Sequence, residues 1–182
     1  GIFKRISHED MNFRVILSYL EIYNENIRDL LQPSDEYLEL REDNDRMHVV
    51  GLTEIEVKSI KETMVILRKG NQNRIQEETA HNKESSRSHA VLQITVEKRN
   101  KMKDVSEQVQ IGKLSLIDLA GSERAAMSNN RGLRLREGAN INRSLLALGN
   151  CINALGHRNN KGGYIPYRDS KLTRLLKDSL GG

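Results

Sequence analysis

Residues 113–123 read KLSLIDLAGSE, an apolar run that stops on a carboxylate and reaches a glycine three residues later. The longer stretch QIGKLSLIDL, residues 110–119, has the composition of a strand and grows more continuously apolar toward its end. The expectation is a buried parallel strand that delivers Asp118 to its carboxyl edge. There a carboxylate can hold a metal-bound water, and the Gly121 N–H, with no Cβ in the way, can donate to a terminal phosphate. An Asp that ends a strand also forms turns, so the pattern by itself leaves both readings open.

A complementary set lies upstream. Residues 81–92, HNKESSRSHAVL, crowd hydroxyls and charges against the start of another apolar stretch. Ser85 and Ser86 offer hydroxyls for a metal or a water, Asn82 an amide, and Arg87 a guanidinium that Glu123 could clamp across the site. Two such loops close on one phosphate and open when it leaves, which makes a two-state switch rather than a rigid site. Taken alone, the upstream run is equally a polar loop. His89 reads as a structural hydrogen-bonding partner beside it rather than as a general base.

Around these loops the chain alternates strands and helices. FRVILSYLEI places Phe13, Val15, Leu17 and Tyr19 at alternate positions, the period of a half-buried strand. YNENIRDLLQP then reads as a short helical turn stopped by Pro33, and YLELRED and MHVVGL as short strands around the charged EDNDR. SIKE, residues 59–62, is a capping box. A helix should start there and run to about Arg74, with Ile60, Met64 and Leu67 on its apolar face and Gly70 a weak point. HAVLQITVE is a strand joined to 110–119 through the charged KRNKMKDVSEQ. In NINRSLLALGNCINALG, Ile141, Leu145, Leu148, Ile152 and Leu155 form a helical stripe that Gly156 ends. Asp169 should cap a short basic helix in DSKLTRLLKDSL. Strands alternating with helices indicate an α/β sheet.

The 182 residues, 37% hydrophobic and 30% charged, fit one globular domain. No segment approaches the roughly 18 consecutive apolar residues of a membrane span, and GIFKRISHED has no signal core, so the chain reads as intracellular with no membrane partner. Cys151 is the only cysteine and reads as a core hydrophobe. Residues 121–182 hold 11 Lys or Arg against 4 Asp or Glu, and with +4 overall the first 120 residues are net −3. The basic third should face an acidic partner, nucleic acid or protein. Aromatics at 4% and no Trp make a poor stacking platform, so an acidic protein surface is favoured and no nucleic acid is expected. HExxH, paired CxxC and GxSxG motifs are missing.

NKESSRSH, LIDLAGSER, INRSLLALGN and YIPYRDSKLTRLL, in this order and spacing, resemble the motor domain of a kinesin. SYLEIYNENIRDLL resembles the strand and turn after that family's ATP site, so the resemblance covers nearly the whole chain. NRGLRLREGANINRSLLALGNCINAL is further similar to the eighth kinesin family, whose members walk to microtubule ends and in some cases disassemble them. The resemblance implies a partial kinesin-type P-loop NTPase fold, α/β, with a central mixed β-sheet flanked by helices. It makes residues 82–89 switch I and residues 118–123 switch II. By that match Ser86 coordinates Mg2+, Ser85 helps place the attacking water, Arg87 and Glu123 form the closing ion pair, and Gly121 senses the γ-phosphate of ATP. Asn82 and Asp118 complete the phosphate-sensing set, Asp118 through a metal-bound water.

The same resemblance implies a microtubule-binding region at about 124–178, with the helix at 141–156, the YIPYR loop and the helix at 170–178 against tubulin. Tyr164, Arg168 and Lys171 match family contact positions, Arg124 matches a basic contact after switch II, and Arg46 a more distant contact loop. Asn142, Arg143 and Arg174 lie on the same two helices. Met127 stands where many family members carry lysine, and Arg131, Arg134 and Arg136 are candidates to supply that charge.

No G-x-x-x-x-G-K-[ST] occurs, and kinesins carry that phosphate cradle N-terminal to the stretch matched here. The expectation is the second half of a motor domain whose N-terminal half is missing, with uncovered strand edges and apolar faces, and inactive as an ATPase alone. In the complete domain, ATP hydrolysis would be coupled through both switches to microtubule binding and movement on the cytoskeleton, with any dimerisation through regions outside this chain. A microtubule-binding module without catalysis is the alternative.

Overall fold

Strand β1 (Asn12–Tyr23) is the axis of the molecule, and its middle is buried on both faces. The computed structural model describes residues 3, 12–44, 46–81, 87–99, 109–121, 133–156 and 163–181. Alternation divides β1 between two cores, as period-2 geometry requires. Val15, Leu17 and Tyr19 pack with Leu30, Leu31, Val57, Ala90 and Leu92 on one face. Leu20 and Ile22 pack with Ile27, Val91, Leu172, Leu175 and Leu176 on the other.

The sheet is built outward from β1 by antiparallel pairs. On one side lies β2 (Asn26–Asp29), with the short β5 (Ile55–Glu56) also on β1. On the other lies β6 (Ser88–Arg99), in register from Asn12↔Arg99 to Tyr23↔Ser88. Beyond it β7 (Val109–Asp118) pairs from Arg99↔Val109 to Ala90↔Asp118. A separate hairpin joins β3 (Glu39–Asp43) and β4 (Arg46–Val50), as the sequence predicts. Helix α1 (Ile60–His81) covers the first core, while α2 (Leu133–Gly156), α3 (Lys171–Leu175) and α4 (Lys177–Leu180) lie on the side of the second.

The structure corrects several expectations. The strand ending in Asp118 is antiparallel to β6, not parallel, and is largely exposed, with Ile111, Leu114 and Leu116 about half open. It forms the outer strand among the described residues, so only its β6 side is covered. YNENIRD is not a helical turn: Asn24 and Glu25 take φ of 51° and 61°, the doubly left-handed turn whose twist suits a two-residue hairpin. The chain then bends because the Asp29 carboxylate accepts from the N–H groups of Leu31 (2.7 Å), Gln32 (3.2 Å) and Thr53 (2.7 Å).

In α1 the capping residue is Ser59, whose hydroxyl accepts from Glu62 N–H at 3.2 Å, but the Glu62 carboxylate reaches Lys58 N–H rather than that of Ser59. The helix continues past Arg74 to His81, and Ile60 and Met64 are exposed. The packed line is instead Ile66, Leu67, Gly70 and Arg74. Gly70 sets that rotation. A Cβ there would lie 2.3 Å from Tyr19 Cδ1, so only bare backbone lets the ring lie against the helix, where its hydroxyl donates to Asn71 Oδ1 at 2.8 Å. In α2, Ile141 is buried as expected, whereas Ile152 and Leu155 are exposed and the deepest positions are Ser144, Ala147 and Cys151. Asp169 belongs to a 3-10 turn (Tyr167–Asp169), and the cap of α3 is Ser170, in a reciprocal box with Thr173.

Candidate functional site

The register of three strands decides what surrounds the end of β7. Glu21, Ala90 and Asp118 stand abreast across β1, β6 and β7, all on the face covered by α1. The small Ala90 between two carboxylates leaves room for a cation, and α1 supplies it from the next turn after Gly70. Arg74 donates from Nη1 to Asp118 Oδ2 at 2.8 Å and from Nη2 to the Ser88 carbonyl at 3.2 Å, and its Nε lies 3.5 Å from Glu21 Oε1. The guanidinium is buried. Burial opposes its charge, but the Asp118 and Glu21 carboxylates outweigh that, and its pKa is raised. Asp118 keeps 71% of its side-chain surface open, so it is held from one side and presented on the other.

The opposite face carries the next residue of β6. His89 is 3% exposed, and its Nδ1 lies 3.1 Å from the Ala120 N–H, which can only donate. Nδ1 is therefore the acceptor, and the ring proton sits on Nε2, which donates to Ser144 Oγ at 2.7 Å. Ser144 in turn donates to the Ile141 carbonyl at 2.8 Å. Burial, then the positive charge of Arg74, lower the His89 pKa to about 4. The expected structural role of His89 is thus present.

A basic surface lies on the α2 side. Lys177 Nζ bonds Glu42 Oε1 at 2.9 Å, and this cation, with Arg168 and Arg174 adding to it, holds the Glu42 carboxyl below its usual range. Arg168 and Arg174 border a pocket of about 290 Å³ with Tyr164, whose ring is 77% exposed. Asn142 and Arg143 line a shallower depression of about 430 Å³ beside Asp169. The β1–β2 turn braces both helices: Asn24 pairs with Asn140, and Glu25 accepts from the Lys171 backbone N–H at 2.8 Å.

Of the predicted site residues, Asp118 and Gly121 stand together at the end of β7, and Arg87 precedes β6, half-buried. Asn82, Ser85, Ser86, Glu123 and Arg124 lie outside the described residues, as do Met127 and Arg131. Tyr164, Arg168, Lys171 and Arg174 gather around the 3-10 turn and α3, and Arg46 opens β4 next to Met47, which lines the same pocket as Tyr164, Arg168 and Arg174. Sequence reasoning missed Arg74, Ser144 and the Glu42–Lys177 pair. The one available signal for Arg74 was its helical spacing from Leu67 and Gly70.

A family model described as the kinesin motor domain matches residues 1–182. The chain belongs to that family. A kinesin-like protein of Xenopus laevis, KIF19, is 60% identical over 185 residues, covering 100% of this chain and 18% of its own length. The Arabidopsis thaliana kinesin-like protein KIN-8B is 58% identical over 172 residues, covering 93% of this chain and 21% of its own. Within the kinesins, the chain is similar to KIF19 and to members of the eighth family. A solved structure titled as that of a fast kinesin, with implications for ATPase mechanism and interactions with microtubules, superposes with a TM-score of 0.83 at 42% identity. It covers 98% of this chain, which spans 50% of that structure and about a fifth of the curated relatives.

Kinesin motor domains bind ATP and Mg2+ in general, and the residues present suit that pair. Among the described residues no three His, Cys, Asp or Glu side chains gather into a metal cage. Mg2+ asks for none: it is held by one or two protein oxygens, with waters and phosphates filling the rest. The open carboxylate of Asp118 beside Gly121 offers an acceptor for one of those waters.

Proposed function

We propose that this kinesin chain is the switch-bearing and track-binding part of an ATP-driven microtubule motor. The observation that carries the reading is that the end of β7, where DLAG begins, is hydrogen-bonded from both faces of the sheet. Arg74 holds Asp118 from the α1 side, and His89 holds Ala120 from the α2 side. Events at the phosphate-sensing loop therefore reach α2 directly, and this side carries cations suited to an acidic track, with Arg143 and Arg168 exposed and Lys171 and Arg174 half-buried.

In this reading Asp118 orients a metal-bound water, and Gly121 lets the backbone approach the terminal phosphate. Ser86 is the direct magnesium ligand, Ser85 places the attacking water, and Arg87 closes on Glu123. Bound magnesium supplies charge neutralisation at the phosphoryl group during transfer. The chain itself does little covalent chemistry, so its contribution is positioning, and a loop displaced by about 1 Å costs on the order of 100-fold in turnover. Asn142, Arg143, Tyr164, Arg168, Lys171 and Arg174 form the tubulin face, with Arg46 and Arg124 at its margins. The exposed apolar residues of β7 support the view that this side of the sheet is covered in the working motor.

The test is ATP turnover by a complete motor domain carrying this chain, with and without microtubules. Stimulation by microtubules supports the motor. Binding to microtubules without turnover in either condition supports the non-catalytic module instead.

A further inference from the structure

Two elements that a nucleotide switch would have to connect meet on one imidazole. Ala120, the residue before Gly121, is 4% exposed and donates its N–H to His89 Nδ1. Ser144, 2% exposed, receives the Nε2 proton on the buried side of α2, next to Arg143 and two residues from Asn142. The serine hydroxyl donates in turn to the Ile141 carbonyl, so each donor in the series has one acceptor and the direction of every bond is fixed. Burial removes water as a substitute partner, which makes an unmade bond costly at any point. The imidazole is rigid: a pull on Nδ1 that turns the ring swings Nε2 away from Ser144. A pH near neutrality keeps the ring uncharged and Nδ1 an acceptor, since its pKa lies at about 4.

We propose that His89 is a positioning residue that transmits displacement between the Gly121 loop and α2, so that phosphate occupancy and track contact influence one another through Ala120, His89 and Ser144. This deepens the motor reading and rests on it. His89 touches no reacting atom in this role. It sets the position of two elements that do the binding.

The experiment uses a complete motor domain carrying this chain. Ser144→Ala removes the α2 end of the series with a small, helix-compatible residue and leaves Ala120 untouched. His89→Asn keeps an acceptor near Ala120 but is too short to reach Ser144. Amide hydrogen exchange at Ala120 should speed up about tenfold in Ser144→Ala, within the usual range of coupling between sites. Microtubule-stimulated turnover should fall about tenfold with the half-saturating microtubule concentration unchanged, while turnover without microtubules changes less than about twofold. The double variant should be no worse than either single one, because both break the same series. A purely packing role predicts additive losses and equal loss of stimulated and unstimulated turnover. Unchanged exchange at Ala120, additive losses, or intact stimulation in Ser144→Ala overturns the proposal. If the unsubstituted domain shows no stimulation, the motor reading fails at that point, and Ala120 exchange still decides whether the relay exists.

Discussion

Arg74 is a buried cation whose two carboxylates differ sharply in environment: Glu21 is 7% exposed and Asp118 71%. The bond to Asp118 adds little stability because water screens it, whereas removing Arg74 takes an opposite charge away from the buried Glu21 carboxylate. Arg74→Met should therefore cost about 3 kcal/mol, and adding Glu21→Leu should recover most of it. Urea unfolding of the two variants in a complete domain checks this, and an equal loss in both would remove the Glu21 account. His89 offers a second test. Its folded pKa of about 4 lies below the ordinary 6.5, so the unfolded chain takes up a proton that the folded chain refuses. Stability is full above about pH 6.5 and falls as pH drops, by about 2 kcal/mol between pH 7 and pH 5. His89→Asn should remove that part of the slope. At this scale the sequence disclosed that Asp118 and Gly121 stand at the end of a strand, and the structural character of His89, because strand ends and motif spacing are local. Arg74 stayed hidden because its partners come from three strands, and only their register brings Glu21 and Asp118 abreast.

Elements were legible where a local pattern decides them and not where packing does. Strands β1, β6 and β7, the 39–50 hairpin, the start of α1 and the end of α2 follow from period and caps, whereas α1 runs past Arg74 to His81 and α2 begins at Leu133 rather than near residue 141. The faces of α1 and α2 did not follow, because a helix turns its small residues toward its neighbours, the sheet for α1 and α3 with the 3-10 turn for much of α2, when close approach is favourable. Gly70 in α1 and Ser144, Ala147 and Cys151 in α2 are the contact positions, with larger apolar residues left at the margins. Gly70→Ala is accordingly a test at the level of the element. On an exposed helix it would stabilise, whereas here the added methyl meets the Tyr19 ring and should destabilise by about 1–3 kcal/mol. A stabilised variant in thermal unfolding would show that Tyr19 yields freely. The hairpin turn at Asn24 was misread for a related reason: a left-handed Glu25 carries no sequence mark of its own, and what holds it is its carboxylate on the Lys171 N–H of a distant helix.

At the scale of the molecule, the sheet separates two halves with different work. The α1 side fixes the end of β7, and the α2 side gathers Arg168, Arg174 and Lys177 beside Tyr164. Arg168→Ala with Lys171→Ala should weaken microtubule binding about tenfold at low salt and progressively less as salt rises, with turnover in the absence of microtubules retained. Co-sedimentation across a salt series measures it, and a salt-independent loss would point to damaged packing around α3 instead. The charge surplus of residues 121–182 made this side legible before any geometry, while the bracing of α3 by Glu25 did not show. The central claim is that closure of the two loops around a phosphate drives a motor. It is tested most directly by microtubule-stimulated ATP turnover in a complete domain and its Glu123→Ala variant. The account predicts strong stimulation in the unsubstituted domain, and in the variant retained ATP binding with turnover at least about 100-fold lower. A folded, ATP-binding domain whose turnover microtubules leave unchanged, or a variant that hydrolyses ATP as fast as its parent, would contradict it.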